Sequence, residues 1–328
     1  MKKLITLILT LGLLVACSSN NPQTTDTGET MKHVGILQLM THDALDESRR
    51  GFIDALSDGG YVEGENLVID YQNPEGDASN LTTMADSLIA GNQDLILAIA
   101  TTPVQALQNI NVDTPILATA VTDFVEAGLV ESNENPGGLI AGVSDGCPMD
   151  EQLDLLLEAI PDIQSLGIIY TSSEPNSEIQ ANQTVAECEE RGIEAVVETV
   201  SDKTMIDDTL QSFVGKIDAL YVPTDNNIAS AMASVDIFAT EHQLPVLCGE
   251  SNTVKNGGLL SLGVDYYKIG YQTGEMAVAI LNGEKTISDF EVEFQSDIQV
   301  YYNSNTASKI GISLPDSIIE RGEDVASN

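Results

Sequence analysis

HVGILQLMTHDALDESRRGFIDALSDGG, residues 33–60, sets the pattern that the rest of the chain repeats. Residues 33–40 form a nearly unbroken apolar run, as expected of a strand covered on both faces. Residues 44–56 then place Leu45, Phe52, Ile53 and Leu56 on one helical face, and Gly59-Gly60 closes the segment. Further strand-like runs follow at 67–71, 95–100, 116–120, 139–143, 166–170, 195–200, 219–222, 245–248 and 259–264. Helical periods lie between most of them, at 81–90, 150–160, 177–191, 206–214, 227–242 and 267–281. Buried strands alternating with helices define an α/β fold with parallel sheets.

The rhythm breaks at 131–138 (ESNENPGG), and a fresh strand-helix series starts at 166. Two doubly wound, Rossmann-like lobes joined by a hinge are therefore expected. Residues 32–144 plus about 266–290 would form lobe 1, and 145–265 plus about 300–328 lobe 2. The chain would cross between them near Ser144, near Asp265 and within 290–301, where FEVEFQSDIQVY alternates like a strand.

At the other end of the chain, Lys2-Lys3 and an apolar run from Leu4 to Val15 precede Ala16-Cys17. The run is shorter than the roughly 20 residues of a membrane span, so residues 1–16 read as a leader. Leu14-Val15-Ala16-Cys17 resembles the lipobox of bacterial lipoproteins, which implies acylation at Cys17. Residues 17–31, polar and aperiodic, read as a flexible tether. The expected location is extracytoplasmic, on the membrane only through that anchor.

Composition narrows the partners. Thirteen Lys+Arg against 51 Asp+Glu give a net charge of −38, and losing the leader's two lysines leaves 11 against 51, or −40. Affinity for nucleic acid comes from basic side chains that release counterions, so no nucleic-acid partner is expected. Most of the acids, such as Asp202, Asp207, Asp208, Glu187, Glu189 and Glu190, read as outer faces of helices and as an adaptation to a salty or alkaline medium. Cys147, Cys188 and Cys248 are too widely spaced for a thiolate metal site. They read as buried small hydrophobes, with a Cys147–Cys188 bridge as the other reading. Nucleophile elbow, Walker loop, dinucleotide fingerprint and HExxH are all missing, so neither an enzyme nor a cofactor is expected.

Ligands of open α/β sheets bind beyond the carboxyl ends of the strands. In the first half those ends carry Thr41, His42, Thr101, Thr102, Thr122 and Asp123; in the second, Asn176, Ser177, Thr224, Asp225, Asn226, Glu250, Asp265 and Tyr266. Thr101 or Thr102, Asn176 and Asp225 also read as helix N-caps. An amino acid would place its carboxylate on hydroxyls and on N–H groups at the helix starts of Thr101-Thr102 and Asn176-Ser177, because no Arg is among these positions. Its ammonium would go to Asp225 or Asp265, then Asp123 or Glu250. Tyr266, Tyr170 and Phe124 are candidates to stack on an aromatic ligand, with core packing as the alternative.

VSD at 143–145 with Pro148, PNS at 175–177, PTDN at 223–226 and DYY at 265–267 followed by GYQTG at 270–274 together resemble the substrate-binding lipoproteins of ABC transporters, of the tryptophan/aromatic amino-acid type. The likeness runs from about residue 32 to 319. It implies a type I periplasmic-binding-protein-like fold, a monomer that captures an aromatic amino acid, and permease and ATPase subunits as partners. Thr102, and Gly249-Glu250-Ser251-Asn252, depart from the family's usual residues, which bears on the exact ligand. A sensory or accessory binding lipoprotein, or a nucleoside or sugar binder of the same fold, are the competing readings; a repressor is excluded by the leader and by the missing basic head.

Overall fold

The computed structural model describes residues 31–110 and 113–326. The leader and Cys17 lie outside the described residues, as does nearly all of the tether.

A first sheet is built from β1 (Lys32–Gln38), β2 (Leu67–Gln72), β3 (Leu95–Ile99), β4 (Ile116–Val121) and β5 (Ile140–Ser144), with α1 (Asp43–Asp58), α2 (Ala78–Ala90) and α3 (Thr101–Asn109) between its strands. The chain then enters a second unit with α4 (Met149–Ala159), β6 (Ser165–Thr171), α5 (Pro175–Arg191), β7 (Glu194–Val200), α6 (Ile206–Ser212) and β8 (Ala219–Val222). It continues there through α7 (Asn226–Ala229), α8 (Met232–His242), β9 (Val246–Cys248), α9 (Ser251–Lys255) and β10 (Leu260–Gly263). α10 (Tyr266–Leu281) returns to the first unit and leads to β11 (Val292–Phe294). β12 (Gln299–Tyr302), α11 (Ser304–Ile310), α12 (Asp316–Arg321) and β13 (Gly322–Asp324) finish the second.

Strand order is β11-β5-β4-β3-β1-β2 in the first sheet and β13-β12-β10-β9-β8-β6-β7 in the second. Every pairing in the first sheet is parallel. The second sheet departs from the all-parallel expectation at one place, where β12 runs antiparallel to β10 after the chain's last passage between the sheets. Both orders reverse direction, between β1 and β3 and between β6 and β8, and such switch points open a crevice at the strand ends.

Alternate side chains of β1 divide between two cores. Val34 and Ile36 pack with α1 and α10, while Leu37 packs with Leu88, Ile96 and Ala118 on the other face. The second sheet is covered in the same way. α1 and α10 approach closely because glycines face each other: a Cβ on Gly51 would lie 2.1 Å from the Tyr267 carbonyl oxygen, and one on Gly270 would lie 2.0 Å from that of Ser48. The contact fixes the middle of α1 against the first turns of α10, and the starts of both helices border the crevice.

The helix expected over 227–242 is broken at Ser230-Ala231, where the Ser230 hydroxyl donates back to the Asn227 carbonyl at 2.7 Å and the chain restarts at Met232. Two expected caps shift. Ala100 rather than a threonine occupies the N-cap position of α3 and Glu174 that of α5, neither with a side-chain capping bond, so that Pro175 takes the first helical position and Asn176 lies inside. Cys147, Cys188 and Cys248 are free thiols, the latter two buried. Among the described residues no helix is long and apolar enough to cross a membrane.

Candidate functional site

Between the sheets lies a narrow cavity of about 20 Å³, lined by His42, Ala44, Leu45, Ala120, Thr122, Asp145, Asn176, Thr224, Asp225, Asn226, Ala229, Glu250 and Tyr266. That volume is on the scale of one or two water sites. Two open depressions of about 460 and 430 Å³ flank it at the mouth, one bordered by Thr41, His42 and Asn256, the other by Asp265, Tyr267 and Tyr301.

Side chains bridge the two sides. His42 Nε2 meets Asn226 Oδ1 at 3.0 Å, and the hydroxyls of Thr122 and Thr224 meet at 2.9 Å. Asn226 Nδ2 is committed to Glu174 at 2.6 Å, so its Oδ1 is the atom facing the imidazole, and His42 must present an Nε2–H. Burial lowers the His42 pKa, with the Asn226 contact opposing it, which favours that neutral form.

The second lobe's wall is held by a hydrogen-bond network. Asp225 caps α7 through the Ile228 N–H and also accepts from the Thr171 N–H at 2.6 Å and hydroxyl at 2.8 Å. Glu174 accepts from the backbone and side-chain amides of both Asn226 and Asn227. Gln180 Oε1 accepts from the Thr224 N–H and hydroxyl. Glu250 caps α9 through the N–H groups of Asn252 and Thr253, both at 2.7 Å. Burial raises the pKa of all four nearby carboxyls, Asp145, Glu174, Asp225 and Glu250, against those hydrogen bonds. For Glu250 the result is about 7.

The first lobe contributes differently. Two alanines at the ends of β3 and β4 have left-handed backbone, Ala100 at φ 86° and Ala120 at φ 56°, and Ala120 borders the cavity. Such conformations cost on the order of 1–3 kcal/mol and occur where surrounding structure imposes them.

At the passages between lobes, the Tyr266 hydroxyl donates to Asp145 Oδ2 at 2.6 Å, joining the segment after β5 to the start of α10. The Asp265 N–H donates to Gln295, which joins α10 to the segment after β11. Asp145 Oδ1 and Asn176 Oδ1 are buried and accept no well-formed hydrogen bond, although the Thr122 hydroxyl lies near enough to Asp145 to oppose the rise of its pKa.

Of the residues chosen at strand ends, the structure brings His42, Thr122, Asn176, Thr224, Asp225, Asn226, Glu250 and Tyr266 to the cavity. Thr41 stands at the mouth, bonded to Glu75. Thr101 is buried at the start of α3 and Thr102 is half-buried beside it, both off the cavity lining. Ser177 lies behind Asn176, with its hydroxyl 3.4 Å from the Thr224 carbonyl. Asp123 closes its own turn through the N–H groups of Val125 and Glu126. Asp265, a first choice for an ammonium, instead caps α10 and borders an outer depression. Phe124 is a core residue rather than a stacking platform, and Tyr170 packs beside the second lobe's core.

Strand-end reading missed Asp145 and Glu174. Asp145 directly follows β5 and so satisfies the same rule, but it read as part of the hinge. Glu174 stands between Thr171-Ser172-Ser173 and Asn176, and in a chain with 51 acids nothing local marks it as buried.

Residues 33–326 match the family model of ABC transporter substrate binding proteins. The chain is 39% identical over 316 residues to a tyrosine-binding protein of Clostridioides difficile, covering 93% of this chain and 91% of that one. Among solved structures, a Streptococcus pneumonia domain in complex with L-Trp is similar at TM-score 0.86 and 32% identity, over 90% of this chain and 99% of that one. A ligand-free, open structure of a Clostridium difficile substrate binding protein with adhesive properties is similar at TM-score 0.69 and 39% identity, over 91% and 100%. The chain belongs to the ABC transporter substrate-binding protein family, with its type I periplasmic-binding-protein fold.

Proposed function

We propose that the protein is an extracytoplasmic lipoprotein, anchored through Cys17, that captures an aromatic amino acid in the interlobe cleft and delivers it to an ABC importer. The observation that carries the ligand class is the pair of buried, unpartnered acceptors on the lining, Asp145 Oδ1 and Asn176 Oδ1. An ammonium group pairs with acceptors of this kind, and a charge-assisted bond to a carboxylate contributes about 1.5–3 kcal/mol. The Tyr266 ring and the apolar atoms of Ala44, Leu45, Ala120 and Ala229 supply a surface for an aromatic side chain. Tyrosine and tryptophan binding by the similar proteins supports the same class.

The match is closer in shape to the Trp complex than to the open structure, although the open one is closer in sequence. That ordering supports a closed arrangement of the lobes here, as do the His42–Asn226 and Thr122–Thr224 contacts. With only about 20 Å³ enclosed, entry of an aromatic ring requires the lobes to part first. Closure on the ligand is the state a permease would read.

Calorimetric titration with the twenty amino acids tests the reading. Tyr, Trp or Phe is expected to bind and the remainder to bind far more weakly. Binding of a nucleoside or sugar, with no heat from any aromatic amino acid, would overturn it.

A further inference from the structure

The side chains around the cavity have committed nearly all their protons within the protein. Thr224 donates to Gln180, and Thr122 faces Thr224. The Tyr266 hydroxyl goes to Asp145, and Asn176 Nδ2 goes to the Thr224 carbonyl at 2.6 Å. His42 offers one N–H, and it faces Asn226. Of the hydroxyl, amide and imidazole protons on this lining, the second hydrogen of the Asn226 amide is the one left over, since its partner is held by Glu174. Acceptors are in surplus: Asp145 Oδ1 and Asn176 Oδ1 have no partner.

Charge points the same way. Asp145, Asp225 and Glu250 line the cavity, Glu174 stands directly behind Asn226, and neither Lys nor Arg is on the lining. A carboxylate entering this space meets buried acids and no cation. An ammonium meets acceptor oxygens, and pairing with it favours the ionised form of carboxyls whose pKa burial otherwise raises. The side chains of the cleft are therefore complementary to an ammonium.

We infer that the ammonium is the polar handle by which this cleft holds its ligand, and that primary arylalkylamines without a carboxylate, such as tyramine, tryptamine and phenethylamine, are ligands alongside the amino acids. Asp145 is the residue that selects for the positive charge, with Asn176 as its second acceptor. This rests on the aromatic reading of the same cleft and extends it to a class in which the carboxylate is dispensable.

The experiment titrates the full chain with tyrosine, tyramine and 3-(4-hydroxyphenyl)propionate, which keep the ring and remove the carboxylate or the amine in turn. Tyramine is expected to bind within about tenfold of tyrosine, and the propionate at least about a hundredfold more weakly. Tyramine a hundredfold weaker than tyrosine, or the propionate binding as well as tyrosine, would overturn the inference and leave the amino-acid function intact. Tyramine binding without any amino acid would remove the proposed function and keep the inference; binding of none of the three, nor of tryptamine or phenethylamine, removes the inference. An Asp145→Asn variant retains an acceptor for the Tyr266 hydroxyl. It is expected to lose about ten- to a hundredfold for both tyrosine and tyramine. Unchanged affinity for both, in a variant that melts like the parent, would assign the charge selection elsewhere.

Discussion

The two lobes build their halves of one cleft by different means. The second lobe uses side chains: Glu174, Gln180, Thr171 and Asp225 hold Thr224 and Asn226 by buried hydrogen bonds, many to backbone N–H groups. The first lobe uses backbone: left-handed Ala120 on the lining and Ala100 at the neighbouring strand's end, a shift of register between β4 and β5 beside Ala120, and α1 locked to α10 by facing glycines. One wall is thus sensitive to the loss of a polar partner. The other is sensitive to the shape of the main chain, and the same kind of substitution should have opposite consequences in the two.

The largest expected effect falls on the side-chain wall. Asp225→Ala removes the acceptor of the Thr171 N–H, the Thr171 hydroxyl and the Ile228 N–H, all buried. Each orphaned donor costs roughly 1–3 kcal/mol, less what relaxation recovers, so a loss of about 3–5 kcal/mol is expected in chemical denaturation, together with loss of ligand binding. A variant within about 1 kcal/mol of the parent would show that the network is not what holds this wall.

Next in size is the pH response of the same wall. Burial raises the Glu250 carboxyl to about 7 from 4.5. A raised carboxyl keeps its proton in the folded state where the unfolded chain has lost it, so between about pH 4.5 and 7 the folded state binds more protons and stability falls as pH rises. A loss on the order of 3 kcal/mol is expected across that window from Glu250. Asp145 and Asp225, also raised by burial, act in the same direction. Melting temperatures of the ligand-free protein should therefore decline from pH 5 to pH 8, and the Glu250→Gln slope should be shallower. A parent more stable at pH 8 than at pH 5 would contradict the burial of these acids.

The fold was legible because continuous apolar runs and helical periods survive in a sequence however the lobes are arranged. Part of the site was legible for a related reason: strand ends can be counted, and Thr224, Asp225, Asn226 and His42 stand at them. What a sequence does not display is which acid loses its water. Asp265 and Asp225 are both N-caps, yet Asp225 is 2% exposed and aligned with the cavity, while Asp265 is half-buried at the rim. Asp145 follows β5 and could be counted with the other strand ends, whereas Glu174 is marked only by the fold, which brings Asn226 and Asn227 onto it from 52 and 53 residues away.

The backbone wall makes a prediction of opposite sign. Ala100 combines φ 86° with ψ 159°, a region that essentially only glycine occupies without cost. Ala100→Gly releases roughly 1–3 kcal/mol of strain and forfeits about 0.5–1 kcal/mol through the freer unfolded chain, so a net gain of about 1 kcal/mol is expected. The same substitution at Ala181, a buried residue within α5, should destabilise, because there the helix loses propensity and packing. Destabilisation at both positions would break the contrast between the walls.

The smallest effect lies where the walls meet. His42→Leu removes the donor to Asn226 Oδ1, but once the lobes part that oxygen is reached by water, so the cost is confined to the closed state. A neutral hydrogen bond contributes about 0.5–1.5 kcal/mol, equivalent to roughly two- to tenfold in ligand affinity. Denaturation of the ligand-free protein, which the Asp225 substitution should shift strongly, is expected to be nearly unchanged here. Small-angle scattering should report a larger mean radius before ligand is added and the parent's radius at saturation. If His42→Leu instead lowered stability as much as it lowered affinity, the contact would belong to the fold of one lobe rather than to the closure of two.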